Sequence, residues 1–474
     1  MKRIAIIGGG MAGLAAAHEL WQLQRAGNSA FTWHLYERAP QLGGKVVTTQ
    51  KDGFTVEGGP DSFLTQKPAG LELCRELGLE DELIPCNPGA QKIYVVVKGR
   101  LCALPTGFRL TVPTQWWPFI KSPLFSWRAK CRMALEPWMA PRRDEADESV
   151  AAFITRRLGR EAADKIGGPL MAGIYVADPQ RLSMMATFPQ FRALERKYGS
   201  LQRGLRQSAR QPGRRPPMFV SLRGGMQQLV DTMSAPWRDQ CHCHTAITRL
   251  THRDGTFRLE GDGVGDAYDH VILACPLHET AQLCGEVVPA AASLMRRVRY
   301  VSTATLSLAY RAPLTGLNQS LDGYGFVIPA SERQRILACT WSSVKFTDRA
   351  PAGHQLMRVF IGGGEQEVLV EQDDAALVAI ARDELRTLMG VESAPLWTQV
   401  HRWPQGNPQY DVGHPARMRA VMQAVADLPG LHVAGSGYQG IGLPDCIRSG
   451  RSAAAAAVDS NVWKNPAATI PRLG

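Results

Sequence analysis

Apolar positions along the chain change period from block to block. Arg3 to Ile7 is a short β-prone apolar run, and the Ala- and Leu-rich stretch from Met11 to Arg25 has helical character and closes near Gly27. A second β-prone run, Phe31 to Tyr36, stops at Glu37. Strand, helix and strand in that order predict a β-α-β unit and so a parallel sheet. Further strands are predicted ending at Glu57, over Lys92 to Lys98, Ala246 to Leu250, His270 to Cys275 and Leu431 to Ser436, and a last helix opens near Asp445 and runs to Val458. The nucleotide-type pieces lie at the start, middle and end of the chain. One domain is therefore assembled from separated segments, and the intervening segments form another side.

Composition narrows the class. The chain has 474 residues, 45% hydrophobic and 20% charged, which is ordinary globular usage and excludes disordered, collagen-like and coiled-coil chains. The length suits two or three domains. Lys plus Arg number 54 against 43 Asp plus Glu, a net charge of +11, which admits nucleic acid, an anionic membrane surface or an acidic substrate. Ten irregularly spaced cysteines form no disulfide framework, so a reduced, cytosolic compartment is expected. No run approaches the roughly 18 to 20 apolar residues of a membrane span. Lys2 and Arg3 before an apolar run mimic a signal peptide, but Gly8, Gly9, Gly10 and Gly13 interrupt it, and a mature strand is the better reading.

Those glycines carry the first chemistry. Gly8 to Gly13 satisfies G-x-G-x-x-G between a strand and a helix. Gly8 permits the tight turn, Gly10 lets a diphosphate approach the backbone, and Gly13 lets helix and strand pack closely. Helix-start N–H groups at Met11 and Ala12 face the anion. Glu37 is placed to accept hydrogen bonds from the adenosine ribose.

Glu37-Arg38-Ala39-Pro40-Gln41-Leu42-Gly43-Gly44-Lys45 continues directly from that strand and resembles the extension of the flavin amine oxidase superfamily. The turn Gly58-Gly59-Pro60-Asp61-Ser62 and the segment Ser436 to Arg451 resemble two more of its flavin-contacting motifs. The resemblance implies an α/β architecture: a Rossmann-like FAD-binding domain built from discontinuous segments, an α+β substrate domain and a mostly helical insertion. Its expected parts are 1–65, 217–285 and 405–474 for FAD, 66–107 and 286–404 for substrate, and 108–216 for the helical, membrane-facing insertion. Arg38, Gly44, Lys45, Gly59, Pro60, Asp61, Ser62, Ile247, Trp403, Ser436, Ile441, Gly442 and Leu443 join Gly8, Gly10, Met11, Ala12, Gly13 and Glu37 as expected cofactor contacts, with Ile247 holding adenine through its backbone. The FAD is expected to be noncovalent, because the covalent-attachment positions of related oxidases hold no Cys here.

Leu101 to Gly107, Met171 to Pro179, Gly323 to Pro329, Asn407 to Tyr410 and Tyr438 to Cys446, taken in order, resemble the oxygen-dependent protoporphyrinogen oxidases over nearly the whole chain. That resemblance implies a three-step dehydrogenation of protoporphyrinogen IX with O2, releasing H2O2, and hand-over of the porphyrin to the next heme-pathway enzyme. Coproporphyrinogen III is the alternative substrate, and an amine oxidase or carotenoid desaturase on the same scaffold is an alternative of another kind. Arg109 is expected to pair with a propionate, Gly173 to let the backbone approach the reacting carbon, and Tyr324, Val327 and Ile361 to wall the macrocycle. No acid or base is assigned; Lys345 is placed at the surface or rim. Cys241-His242-Cys243-His244 resembles a metal cluster, but in a strand the cysteines and histidines point to opposite faces, so no metal is expected. From Phe108 to Arg143, Trp116, Trp117, Trp127 and Trp138 interleave with Lys and Arg, as suits an anionic membrane surface on the cytoplasmic side; nucleic acid finds no other support.

Overall fold

The computed structural model describes residues 1–27, 30–109, 112–113, 115–209 and 217–458. A five-stranded parallel sheet has the order Cys241–His242, Phe31–Tyr36, Lys2–Ile7, His270–Leu273, Leu431–Val433. Its strands come from the beginning, middle and end of the chain, as the apolar runs predict. Helices Met11–Arg25 and Leu443–Val458 share one core with it. They cross closely: a Cβ on Gly450 would lie 2.0 Å from the Ala12 carbonyl oxygen. The other face carries the ribbon Ile247–Arg253, Thr256–Gly261, Ala267–Tyr268 and helices Leu277–Leu283, Pro289–Arg296 and His414–Ala426. Helix Pro68–Glu76, which the boundary at 65 would put with the substrate domain, instead buries Leu73 and Cys74 in the nucleotide-side core.

A seven-stranded mixed sheet forms the second layer, in the order Trp397–Pro408, Tyr300–Arg311, His354–Gly362, Ala338–Trp341, Gly323–Val327, Lys92–Val97, Arg100–Ala103. One face packs on helix Asp374–Met389, whose N-terminus is capped by the Asp373 carboxylate accepting from Ala376 N–H at 2.8 Å. The opposite face meets the nucleotide layer. Strand alternation therefore decides which residues reach the site.

The insertion is helical, with a core that includes Phe119, Phe153, Ile154, Ile166 and Leu182. Arg157 and Glu136 are both fully buried and paired, and Glu136 also accepts from Ser200 Oγ at 2.6 Å and Leu201 N–H at 2.9 Å. Such a network holds its charges only because every donor has an acceptor nearby.

Candidate functional site

The glycine loop makes a cradle with no side chain in it. Gly8 has φ +106°, and a Cβ on Gly13 would lie 1.9 Å from the Gly8 carbonyl oxygen, so both must be glycine. A Cβ on Gly10 meets nothing within 4 Å. Gly10 is the N-cap of helix Met11–Arg25 and provides no side-chain cap, so no side chain of the cap residue satisfies the first-turn N–H groups. These are the features a diphosphate requires. Glu37 sits beside them: its carboxylate accepts from Gly9 N–H at 2.5 Å and Ala39 N–H at 2.8 Å. Thr245 N–H bonds the Glu37 carbonyl at 2.9 Å, which brings Ile247 to the same end of the cleft. Arg38 points outward and pairs with Glu279 at 2.7 Å.

Gly43 N–H reaches the Gly9 carbonyl at 2.9 Å, and Gly44 lies against Gly10, so the second glycine pair lines the same cradle. Lys45 donates to the Gly406 carbonyl, and burial lowers its pKa. A Cβ on Gly59 would strike the Lys45 carbonyl at 1.7 Å, which locks the next turn onto this one.

That turn, Gly58 to Ser62, is clamped from the sheet. The Gly58 carbonyl accepts from Thr305 Oγ1 at 2.8 Å, Arg358 Nη2 at 3.0 Å and Trp403 Nε1 at 3.0 Å. Arg358 also bonds the Gly59 carbonyl. Asp61 accepts from Lys345 Nζ at 2.8 and 3.0 Å and from Ser62 Oγ at 2.7 Å. Burial opposes its ionisation, but Lys345 and Arg358 outweigh it and hold its pKa well below the usual carboxylate range. Asp61 and Ser62 thus turn toward Lys345, and Lys345 is not a surface residue: its side chain is only 16% exposed.

The third segment closes the cradle. After strand Leu431–Val433 the loop leads into helix Leu443–Val458. Tyr410, 1% exposed, donates to the Ser436 carbonyl at 2.5 Å and accepts from Gly440 N–H at 2.9 Å, pinning the loop at two points. Its ring stacks on His414 at 4.0 Å and 14°. Gly440 has φ +93° and lies against the Asp445 carboxylate, which Lys67 holds at 2.5 Å. Gly442 stands beside Leu443 at the helix start, where an added Cβ would lie 3.2 Å from the Asp445 carboxylate. Cys446 is buried, and burial pushes its thiol up to about 12, so it carries no thiolate to react.

On the substrate side the expected residues lie in different elements. Val327 of the seven-stranded sheet and Ile441 of the C-terminal loop both pack against the helical core. Gly173 is exposed, and a Cβ on it would meet nothing within 4 Å. It follows a π-wound stretch, Ala163–Ala172, interrupted by Pro169. A register shift between Gly323 and Gly325 frees Tyr324 from the strand alternation, and its hydroxyl donates to the Asn87 carbonyl at 3.4 Å. Arg109 ends the short strand Phe108–Arg109; its side chain lies outside the described residues. Ile361 does not belong to the site. It is fully buried with Met357 and Val359 against helix Asp374–Met389, while Arg358 on the same strand faces the Gly58–Gly59 turn. Composition does not mark Arg358, Thr305 and Tyr410, because each acts through a backbone carbonyl or N–H that only folding brings near.

Cys241 and Cys243 lean into the nucleotide-side core, while His242 stacks on His34 at 5.1 Å and Tyr36 at 5.0 Å. Among the described residues no group of three or more could hold a metal ion.

The model of the flavin containing amine oxidoreductases matches residues 11–458. The chain belongs to that family. Within it, the chain falls with the porphyrinogen oxidases of the heme pathway. A Bacillus subtilis (strain 168) protein named coproporphyrinogen III oxidase is 34% identical over 461 residues, covering 95% of this chain and 97% of that one. The Bos taurus protoporphyrinogen oxidase is 30% identical over 96% of this chain and 98% of its own length. A crystal structure of a candidate protoporphyrinogen oxidase from Exiguobacterium sp. 255-15 superposes with a TM-score of 0.85 at 30% identity, covering 96% of this chain and 98% of that one. The amine-oxidase-type α/β fold and a flavin cofactor follow from membership.

Proposed function

We propose that this member of the flavin amine oxidoreductases binds FAD noncovalently and oxidises coproporphyrinogen III to coproporphyrin III with O2, releasing H2O2. The observation that carries the reading is the packing of three separated glycine-rich segments against one another, Gly44 on Gly10, Gly59 on Lys45 and the helix after Leu443 on the Met11–Arg25 helix. The chemistry FAD supplies when bound is acceptance of a hydride equivalent in each of three steps and reoxidation by O2. The chain's own residues do the rest. The Met11–Arg25 helix start holds the diphosphate, Glu37 the ribose, and Ser436 to Leu443 the far edge of the ring. Tyr324 and Val327 flank a flat, apolar macrocycle and exclude water, and Arg109 pairs with a propionate. Coproporphyrinogen III is preferred because relatives of that name reach 34% identity, against 26 to 30% for those named protoporphyrinogen oxidase. Protoporphyrinogen IX is the second reading, supported by the ordered motifs of the sequence and the Exiguobacterium fold.

The deciding experiment is steady-state oxidation of each porphyrinogen, followed by porphyrin fluorescence. Turnover of neither sinks the assignment, and faster turnover of protoporphyrinogen IX selects the second reading.

The insertion supports a surface role as well. Trp117, Trp127 and Trp138 are 68, 67 and 75% exposed, with Lys121 over Trp117 at 5.4 Å and Lys130 over Trp127 at 4.5 Å. Exposed indoles beside cations suit an anionic lipid headgroup layer. Among the described residues no helix is long and apolar enough to cross a membrane.

A further inference from the structure

Three cations and two carboxylates are buried together where the Gly58 to Ser62 turn meets the seven-stranded sheet. Glu57 lies 3.6 Å from Arg349, and Asp61 is held by Lys345 at 2.8 Å. Arg358 adds a third cation, toward which Asp61 and Glu57 act only from beyond ion-pair distance. It is 4% exposed, its Nη2 donates to the carbonyls of Gly58 and Gly59, and among the described residues it forms no ion pair. Its Nε has no hydrogen-bond partner. The ring of Phe360 lies 4.9 Å from the guanidinium, and burial and Arg358 lower the pKa of His401 nearby. A guanidinium does not shed its proton, so the interior carries its charge permanently. Carbonyl dipoles offset that cost in part; an anion arriving at the turn would offset more.

Two anion sources reach such a place: a flavin that has just been reduced, and a carboxylate of the substrate. The turn favours the first. The carbonyls that Arg358 holds belong to the glycine turn packed on Lys45 in the cofactor cradle.

We infer that Arg358 is a positioning residue that fixes the Gly58–Gly59 turn and biases the flavin toward its negatively charged reduced form. This rests on the proposed binding of FAD. In each oxidation a C–H bond of the donor breaks and its hydride, two electrons and one proton, passes to the flavin, which gains one negative charge. The donor releases one further proton to solvent, over the three steps two from pyrrole N–H groups and one from a meso carbon. Oxygen later takes the two electrons and, with two protons, leaves as H2O2. A fixed positive charge lowers the free energy of the charged reduced state without moving during the step.

The test uses the purified holoenzyme with Arg358→Gln, which keeps N–H donors for the turn but loses the charge, and Arg358→Lys, which keeps the charge. The readouts are the dissociation constant of sulfite, whose addition through sulfur leaves a negative charge on the ring, and the midpoint potential. Arg358→Gln is expected to weaken sulfite binding about tenfold or more and lower the potential, with Arg358→Lys staying within about threefold of the parent. Parent-like values in Arg358→Gln overturn the inference, as do equal losses in both variants. A raised KM for coproporphyrinogen in Arg358→Gln with sulfite affinity unchanged also overturns it, and assigns the charge to a substrate carboxylate. If the variants do not fold, the parent alone decides: one-electron photoreduction should give the red anionic flavin spectrum, and a blue neutral one refutes the bias. A parent that binds no flavin overturns the functional reading as well, so the two failures are distinguishable.

Discussion

Removing the hydroxyl of Tyr410 should loosen the flavin loop while leaving the core intact. Tyr410→Phe keeps the ring and its 4.0 Å stack on His414. It deletes two hydrogen bonds, to the Ser436 carbonyl at 2.5 Å and from Gly440 N–H at 2.9 Å. Each partner left without a hydrogen bond in a fully buried setting costs about 1–3 kcal/mol. Ser436 and Gly440 are only partly buried, so water recovers some of this, and about 2 kcal/mol for the pair is the expected loss. Ordering the loop is needed for both cofactor segments after Val433, so that loss appears in flavin binding as about 30-fold weaker affinity. The assay is titration of the apoprotein with FAD, followed by flavin fluorescence, alongside the Tm with and without FAD. The expected signature is a small fall in the apoprotein Tm and a larger fall in the FAD-dependent increment. A dissociation constant within about twofold of the parent would show that the loop is ordered by other contacts and would refute the reasoning.

The two glycines of the first loop should part company. Gly10→Ala adds a Cβ that meets no protein atom within 4 Å, so the apoprotein should keep its Tm yet lose FAD affinity, whereas Gly13→Ala, 1.9 Å from the Gly8 carbonyl, should unfold or misfold on expression. Stability should fall on mild acidification. Burial depresses His18 and His414 to about 4 and His432 to about 3, so the unfolded chain binds protons that the native state refuses. Stability is full above the unfolded histidine value and declines as pH drops below about 6.5, by about 1 kcal/mol per histidine per pH unit, checked by urea unfolding at pH 7 and pH 5. A flat profile over that range would exclude the three histidines as the linked groups. Replacing Trp117, Trp127 and Trp138 together by Ala should abolish flotation with phosphatidylserine vesicles and leave porphyrinogen turnover in solution unchanged; binding that survives all three changes points to the basic side chains alone.

Much of the cofactor half was legible from local pattern. The G-x-G-x-x-G turn, Glu37, Gly43-Gly44 and the C-terminal loop each depend on a few consecutive residues, because a positive φ, a helix start or a close backbone approach is a local requirement. The order of those pieces along the chain also implied that one sheet had to be gathered from distant segments, and the parallel five-stranded sheet has that composition.

What tertiary structure alone decided is which face of each buried strand looks at the site. His354–Gly362 is covered on both sides, by helix Asp374–Met389 and by the nucleotide layer, so alternation leaves no exposed polar face to mark direction. Ile361 reads as an apolar wall in sequence and proves to be core beneath the helix; Arg358, three residues earlier, faces the Gly58–Gly59 turn instead. At Tyr324 a one-residue shift in pairing changes the orientation again. Periodicity fixes the relation between neighbours on a strand. The choice between its two faces belongs to the packing of the layers, which no local pattern encodes.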